Sequence, residues 1–378
     1  MAALKILMVN HPQSARFRGG DTTQMVKTAE ALRRMGHAVQ ESVDAQPDAA
    51  GFDLSHVFNI RTINSTPAQV QSLRRSGRPV VMSPIYLNPG VALWAARVTR
   101  NIFGSGRSES EMAALLEEFA AYRLKVSIGP NQVWEAHTPN RGANNTDQIQ
   151  RDMLAHIAHL IPNSVLEMNA LVKALHMAPP FTTAYYAADS KDYLDADPEP
   201  FVKEYGVKDF VLQVGRIEES KNQLMLVHSL RKVGLPIVLI GGSLQPQYLE
   251  LCKRYGPPDL RIIPHLPTAM LRHAYAAARV HALPSWIETC GLVTMEAALA
   301  NCNIVTSIAG YELEYYRDYG YYCNPASVES IRQAVVSAYE NYDRDGARRA
   351  AMKKLILEEF TWEKSAQACL AAYRKVLG

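Results

Sequence analysis

Short apolar segments alternate with helical segments along most of this chain, and that alternation constrains its fold more than any other feature. Residues 5–10 (KILMVN) and 78–84 (RPVVMSP) are two such apolar segments. Residues 22–36 illustrate the helical kind, since their apolar side chains recur at helical spacing. Strands that alternate with helices predict parallel sheets covered by helices, so we expect an α/β fold. At 378 residues the chain is long enough for two such domains.

A change of composition marks the predicted boundary between these domains. At residues 187–200 the periodic pattern gives way to Asp, Ala and Pro, which is typical of a linker. We therefore expect an N-terminal Rossmann-like domain at residues 1–190 and a C-terminal Rossmann-like domain at residues 191–360. Residues 361–378 predict a long amphipathic helix. The D-x-D pair Asp195 and Asp197 stands among the prolines of the linker and not after a strand, so we interpret it as solvated linker and not as a metal site.

Charge and cysteine usage limit the partners and the compartment. A net charge of +3 and a pI of about 8.5 are too mild to indicate nucleic acid as the main partner. The five cysteines are an odd number without C-x-x-C spacing, which favours neither a disulfide framework nor a zinc site. The N-terminal apolar run is too short for a signal peptide, and no run approaches the length of a membrane span. We expect a cytoplasmic protein with at most peripheral contact to the membrane.

Residues 282–307 (ALPSWIETCGLVTMEAALANCNIVTS) read as a buried strand, a turn, a loop and a helix that begins near Leu292. Gly291 permits a close approach of the backbone to a ligand, and the first N–H groups of a helix are unpaired and attract phosphate. Glu288 precedes this helix and Glu296 lies about one turn inside it. The two carboxylates could therefore reach different parts of one ligand, although glutamates near a helix start are often only favourable dipole charges.

A second cluster of charge follows the strand predicted at Phe210–Val214. Arg216 and Lys221 stand between this strand and the helix that starts near Asn222, where two cations can converge on one anion. The alternative is a pair of ordinary surface cations. Further on, Gly241 and the glycine after it predict a turn at which two backbone segments approach closely.

Glu288-x7-Glu296 and Gly215-Arg216-x4-Lys221 together resemble the signature of family 4 (GT4) retaining glycosyltransferases with the GT-B fold. The resemblance covers essentially the whole chain. It implies two Rossmann-like domains facing each other across a cleft, with a C-terminal helix that crosses back to the N-terminal domain. It also implies transfer of a sugar from a nucleotide-diphosphate sugar to a hydroxyl acceptor, with retention of anomeric configuration and without a metal or other cofactor.

Site residues follow from the same resemblance. In the family the first Glu lies near the transferred sugar, the second binds the ribose, and the Arg and Lys hold the diphosphate. Paired glycines near the N-terminus face the donor, and a loop of the second domain contacts the nucleobase. The catalytic candidates are therefore Glu288, Arg216 and Lys221. The donor-binding candidates are Gly19, Gly20, Arg216, Lys221, His265, Leu266, Glu288, Thr289, Cys290, Gly291, Leu292 and Glu296.

Acceptor-binding candidates come from fold geometry, because ligands of parallel sheets bind at the carboxyl ends of the strands. These candidates are Asn59, Arg61, Ser83, Tyr86 and Asn88. The chain departs from the family here, since many members carry a histidine where this chain has Pro84-Ile85-Tyr86. No role for that histidine is carried over. Family members commonly build cell-surface polysaccharides, often on lipid-linked acceptors, so we expect a glycan or a lipid-linked acceptor.

Residues 92–104 form an apolar segment in which Arg97 and Arg100 are interleaved with Trp94, Val98 and Phe103. Such a helix could lie on an anionic membrane. A helix that faces the core and has a solvated basic side is the more common occurrence of this pattern, and we favour it.

Three other functions share some of these features. A glycoside hydrolase also uses paired carboxylates but does not need Arg216 and Lys221. A nicotinamide dehydrogenase shares the sheet type, but the G-x-G-x-x-G fingerprint is absent. A non-catalytic nucleotide-sugar-binding subunit of another transferase would keep the fold, and it stays the main alternative.

Overall fold

The computed structural model describes residues 3–16, 19–123 and 145–378. The strands are β1 (Lys5–Val9), β2 (Ala38–Ser42), β3 (Leu54–Phe58), β4 (Val80–Ser83), β5 (His159–Leu160), β6 (Phe210–Val214), β7 (Ile237–Ile240), β8 (Arg261–Ile263), β9 (Ala278–Leu283), β10 (Asn303–Ser307) and β11 (Tyr321–Cys323). The helices are α1 (Gly20–Arg34), α2 (Thr66–Arg74), α3 (Pro89–Gly104), α4 (Glu109–Arg123), α5 (Asn145–Leu154), α6 (Val165–Leu175), α7 (Glu199–Tyr205), α8 (Gln223–Leu230), α9 (Pro246–Tyr255), α10 (Thr268–Ala277), α11 (Leu292–Leu299), α12 (Glu312–Tyr316), α13 (Val328–Glu340), α14 (Gly346–Glu359) and α15 (Trp362–Leu377).

The first compact unit is built from the described parts of Met1–Leu87, Asn140–Ala187 and Glu359–Gly378. Its sheet is parallel, with the strand order β2-β1-β3-β4-β5. The central strand β3 is buried along its whole length, as expected of a parallel strand covered on both faces. This confirms the α/β class predicted for the N-terminal part of the chain.

The C-terminal helix α15 returns to this first unit and packs on α1. A buried hydrogen bond anchors it, because Nδ1 of His56 on β3 lies 2.8 Å from the hydroxyl of Tyr373 on α15. The other ring nitrogen of His56 lies 2.9 Å from Oγ of Ser83. The predicted crossing of the last helix back to the N-terminal domain is therefore confirmed. Ser83, however, is buried and serves this network, so it does not line a binding surface.

The second unit comprises the described parts of Asn88–Pro139 and Ala188–Glu358. Its six-stranded parallel sheet has the order β11-β10-β9-β6-β7-β8. The strands β6, β7 and β10 are buried along their full length. Strands β9, β6, β7 and β8 are neighbours in this sheet, so their carboxyl ends lie side by side. The loops that follow these four strands carry most of the predicted donor-binding residues.

Helices α3 and α4 belong to the second unit, whereas the sequence placed them in the domain at residues 1–190. Ala95 and Phe103 of α3 are fully buried in one core cluster with Leu224 of α8. The hydroxyl of Tyr255 on α9 donates a 2.8 Å hydrogen bond to the carbonyl of Phe103. The apolar face of α3 thus covers α8 and α9, which confirms that this helix faces a core, although not the core of the unit that precedes it in sequence.

Several element boundaries differ from the sequence expectation for local reasons. Helix α1 starts at Gly20, before the helical segment expected at residues 22–36, because the carbonyl of Gly19 already accepts the N–H of Thr23 at 3.1 Å. Strand β8 ends at Ile263, so His265 lies in a loop. All five cysteines are buried and none forms a disulfide. None of the helices in the described ranges is long and apolar enough to cross a membrane.

Candidate functional site

The loops after β6 and β7 approach each other so closely that only glycine fits. A Cβ atom on Gly241 would lie 1.9 Å from the carbonyl oxygen of Gly215, and the φ angle of Gly241 is +156°. One residue further on, the carbonyl of Gly242 accepts the N–H of Ile217 at 2.9 Å. The close-approach turn predicted at Gly241 is therefore confirmed, and it fixes the backbone on either side of Arg216.

Three buried amide side chains hold the loop that carries the two predicted cations. Gln213 Nε2 donates to the carbonyl of Lys221 at 2.8 Å, and Gln223 Nε2 donates to the carbonyl of Arg216 at 2.9 Å. Asn222 Nδ2 donates to two proline carbonyls in neighbouring loops, each at 2.9 Å. The backbone between β6 and α8 is thus set by buried hydrogen bonds, which is how a fold keeps two long cationic side chains in one place.

Both cations have a carboxylate partner within the second unit. Lys221 Nζ forms an ion pair with Glu288, and the two side chains are 23% and 13% exposed. Burial alone would lower the pKa of Lys221, but the carboxylate of Glu288 outweighs it and raises that pKa. Arg216 is 64% exposed and its Nε lies 3.1 Å from Oε2 of Glu218. The structure therefore brings Lys221 and Glu288 into direct contact, although they are distant in sequence.

The start of α11 is organised as the sequence predicted. Gly291 has a φ angle of +61°, and a Cβ atom there would lie 2.8 Å from Oγ1 of Thr294 and 3.2 Å from Oε1 of Glu312. The hydroxyl of Tyr316 donates to the carbonyls of Cys290 and Gly291, at 2.5 and 3.1 Å. Because α11 begins at Leu292, the first N–H groups of this helix face the same loop as Glu288.

Thr289 and Cys290 contribute backbone more than side-chain chemistry. Thr289 is half-buried, and its N–H donates to Oε1 of Glu288 at 3.2 Å. Cys290 is fully buried, and burial raises the pKa of its thiol well above the ordinary value. The thiol is therefore protonated at neutral pH and is not a nucleophile.

Glu296 lies on α11, and two tyrosines hold its carboxyl group. The hydroxyl of Tyr275 donates to Oε2 of Glu296 at 2.9 Å, and Tyr193 forms a second hydrogen bond to the same carboxyl. Burial raises the pKa of Glu296 to about 7, although both hydrogen bonds work in the opposite direction. Tyr193 belongs to the linker predicted at residues 187–200. No local sequence pattern indicates these tyrosine contacts.

Glu312 is a site residue that the sequence analysis missed. It opens α12, is fully buried, and lies against Gly291. Burial, and then the charge of Glu288, raises its pKa well above the ordinary value, while Thr306 and Lys221 oppose that shift. Burial therefore favours the protonated form of Glu312 more than it would in an exposed glutamate. The sequence offers no distinction between Glu312 and Glu314, because only the packing decides which one points inward.

The remaining donor-binding candidates are distributed over both units. His265 is exposed and Leu266 is buried in the loop after β8. Gly19 is the N-cap of α1 and Gly20 is its first residue, so both belong to the first unit, at the start of a helix.

The acceptor-binding candidates do not all lie in one unit. Asn59 and Arg61 follow β3, and Tyr86 follows β4, on the same edge of the first sheet. Tyr86 is 4% exposed, and its N–H donates to Oε1 of the buried Glu167 at 2.8 Å. Asn88 instead caps α3, accepting the N–H of Gly90 at 3.2 Å, and belongs to the second unit. The assignment of Asn88 and of the other candidates to an acceptor site stays a prediction.

The D-x-D pair is exposed. Asp197 Oδ1 accepts the N–H of Glu199 at 3.0 Å, so it serves the start of α7. Within residues 3–16, 19–123 and 145–378, no group of three or more His, Cys, Asp or Glu side chains is arranged to hold a metal ion.

Comparison with known proteins connects this geometry to a family. Residues 199–355 match the family model described as glycosyl transferases group 1. These residues include Arg216, Lys221, Glu288 and Glu296. Over 208 residues the chain is 27% identical to glycogen synthase of Thermus thermophilus, covering 53% of this chain and 46% of that protein. Over 205 residues it is 25% identical to O-antigen chain mannosyltransferase B of Escherichia coli, covering 50% of this chain and 52% of that protein. The chain thus spans about half the length of the curated relatives it matches.

The similarity to solved structures extends over the whole fold. The crystal structure of HepE from Anabaena in complex with UDP-glucose superimposes with a TM-score of 0.72 at 14% sequence identity. The match covers 98% of this chain and 100% of HepE. The GT-B fold, with two parallel-sheet α/β domains, is therefore confirmed.

Proposed function

We propose that this chain is a glycosyltransferase that moves a sugar from a nucleotide-diphosphate sugar to a hydroxyl acceptor. The observation that carries the proposal is the contact between Lys221 and Glu288 beside the N-terminus of α11. A cation, a carboxylate and unpaired helix amides are what a diphosphate and its attached sugar require. The match of residues 199–355 to group 1 glycosyl transferases supports the same reading.

The chemistry follows from the charge that develops as the sugar leaves. The bond between C1 and the diphosphate oxygen breaks, and the electron pair stays on the diphosphate. Arg216, Lys221 and the first amides of α11 would stabilise that charge as fixed cations and dipoles. Both cations have glutamate partners in the structure, so the diphosphate would exchange with the carboxylates of Glu218 and Glu288.

We further propose that transfer retains the anomeric configuration, as the resemblance to family 4 implies. The acceptor hydroxyl attacks the face from which the diphosphate departs, and an oxygen of the departing phosphate takes the hydroxyl proton. Glu288 would position the sugar and stabilise its developing positive charge, and Glu296 would bind the ribose of the nucleotide. Glu296 would first have to release Tyr193 or Tyr275.

The proposed reaction needs no metal, since Arg216 and Lys221 supply the positive charge that a metal would bring to the leaving group. The acceptor that we propose is a glycan or a lipid-linked glycan in cell-surface polysaccharide synthesis. The O-antigen mannosyltransferase among the relatives supports this choice. We propose action in the cytoplasm, with peripheral contact to the membrane where the acceptor is a lipid.

Isothermal titration calorimetry with UDP-, GDP- and dTDP-linked sugars, in the presence of a chelator, tests the proposal. We expect one donor to bind, and we expect Arg216→Ala to abolish or strongly weaken its binding. Arg332→Ala is the matched control, because Arg332 is also a half-exposed arginine with a glutamate partner, on α13. Absence of binding by every donor would contradict the proposal, and binding of a donor without transfer of its sugar would favour the non-catalytic nucleotide-sugar-binding subunit.

A further inference from the structure

Three polar side chains from separate elements meet at the carboxyl edge of the first sheet. His11 follows β1, Asp21 lies in the first turn of α1, and Asn59 follows β3. His11 Nε2 lies 3.0 Å from Oδ2 of Asp21, and Asn59 Nδ2 donates to the same oxygen at 3.0 Å. The side chains of His11 and Asp21 are 12% and 11% exposed.

The carboxylate of Asp21 fixes the orientation of the imidazole. Its Oδ1 accepts the N–H of Thr22 at 2.8 Å, so both of its oxygens are engaged and the group cannot rotate freely. Since a carboxylate only accepts, Nε2 of His11 carries a hydrogen, and in the neutral form of the ring the lone pair therefore lies on Nδ1. In many enzymes a histidine that is oriented by a carboxylate forms a hydrogen bond to a hydroxyl group.

The Nδ1 atom has only a weak and displaceable neighbour. It lies 3.3 Å from Oε1 of Gln13, and the side chain of Gln13 is exposed. This contact is a hydrogen bond when Nδ1 carries the hydrogen; when Nδ1 carries the lone pair, the contact is favourable only if the amide of Gln13 turns its NH2 group inward. A hydroxyl group from a ligand would replace it with a better hydrogen bond.

The backbone at this edge of the sheet adopts a left-handed conformation at Asn59. Asn59 has a φ angle of +74°, and its Oδ1 accepts the N–H of Arg61 at 3.0 Å. Asparagine tolerates this left-handed conformation better than most residues, and Nδ2 of Asn59 contacts Oδ2 of Asp21 from this backbone position.

We propose that His11, positioned by Asp21 and Asn59, binds the acceptor by accepting a hydrogen bond at Nδ1 from a sugar hydroxyl. This inference rests on the proposed function and names a binding residue for its second substrate. His11 orients the hydroxyl, while the proton leaves to the departing phosphate as described above. Asp21 is a positioning residue, because it acts through the imidazole.

Nitrogen NMR tests the inference without any donor. In the ¹⁵N-labelled protein we expect Nδ1 of His11 to have the shift of an unprotonated nitrogen, and to move when methyl and p-nitrophenyl glycosides are added one by one. His156, an exposed histidine of the same unit, is the internal control and should not move. In Asp21→Asn the tautomer preference of His11 should be lost.

Kinetics provides the second readout, with the donor identified by calorimetry and with glycosides or water as acceptors. We expect His11→Ala and Asp21→Asn to lower kcat/KM for the acceptor by roughly tenfold or more, the effect of losing one oriented hydrogen bond. Donor Kd should stay within about twofold, and His156→Ala should behave as the wild type. A merely structural role would lower the thermal stability without this separation of acceptor and donor effects.

The outcomes separate this inference from the proposed function. Unchanged acceptor kinetics in His11→Ala, with donor binding intact, would overturn the inference alone. A glycoside-dependent shift of His11 in a protein that binds no donor would support the hydroxyl site while the proposed function fails. No shift with any glycoside and a protonated Nδ1 would overturn the inference independently of the donor.

Discussion

Replacing Glu288 by glutamine should separate nucleotide binding from sugar transfer. The substitution preserves the shape of the side chain but removes the charge that neutralises Lys221. An incoming diphosphate then meets Lys221 without a competing carboxylate, so binding of the nucleotide is retained or strengthened. Transfer is lost, because no charge remains to stabilise the developing cation of the sugar.

The structure sets the magnitudes. Two unit charges about 4 Å apart at an effective dielectric constant of about 20 interact with about 4 kcal/mol, before desolvation is subtracted. With side chains that are 23% and 13% exposed, we expect a net gain of about 1 kcal/mol, or a several-fold lower Kd for the nucleotide diphosphate. The free energy of unfolding should fall by about 1–3 kcal/mol, less than for a fully buried pair. Transfer should fall by about 10²- to 10³-fold.

Three assays measure these effects. Calorimetry gives the Kd of the nucleotide diphosphate, an assay of nucleotide release gives the rate of transfer, and denaturant titration gives the free energy of unfolding. Glu218→Gln is the matched control, because it frees the 64%-exposed Arg216 and should change the free energy of unfolding by less than about 0.5 kcal/mol. Full transfer activity in Glu288→Gln, or a nucleotide Kd raised more than tenfold, would refute the role assigned to Glu288.

Three further predictions concern the fold. Gly241→Ala should lower the free energy of unfolding by about 3 kcal/mol or more, because its Cβ would lie 1.9 Å from a backbone carbonyl at a φ of +156°; wild-type stability in denaturant titration would contradict the geometry. Burial raises the pKa of both Glu296 and Glu167 to about 7, so between pH 4.5 and 7 the folded chain binds protons that the unfolded chain has released. Its free energy of unfolding should fall as the pH rises through that window, by up to about 3 kcal/mol per group, and each Glu→Gln variant should flatten the dependence measured by denaturant titration; an unchanged slope in both variants would count against the raised values. Tyr373→Phe should cost about 1 kcal/mol by thermal unfolding, since it removes the hydrogen bond to His56, and no loss would show that this bond does not anchor α15.

Local sequence patterns predict those parts of the fold whose conformation depends mainly on residues that are close in sequence. Buried strands in a parallel sheet are largely apolar runs, so β1, β4 and β6 could be recognised directly. The break at Gly291 separated Glu288 from the helix that carries Glu296, because a positive φ angle at that point favours glycine. The loop glycine Gly241 was recognisable for a related reason, namely the close approach of two backbones.

What the sequence could not provide depends on partners that are distant along the chain. Nothing local indicates that Lys221 pairs with Glu288, or that Glu296 is held by Tyr193 and Tyr275. Helix α3 has the pattern of a core-facing helix, but its pattern does not say which core it faces. His11 and Asp21 are only 10 residues apart, but Asn59, which donates to the same carboxylate, lies 38 residues after Asp21, and no local pattern indicates that contact.

A crystal structure of this chain with the nucleotide diphosphate of its preferred donor would show directly whether Lys221, Arg216 and α11 form the diphosphate site. We expect the terminal phosphate to lie about 3 Å from Nζ of Lys221 and from the first amides of α11, with the guanidinium of Arg216 turned from Glu218 towards the diphosphate. A nucleotide bound elsewhere, with the Lys221–Glu288 and Arg216–Glu218 pairs unchanged, would show that these residues do not bind the donor.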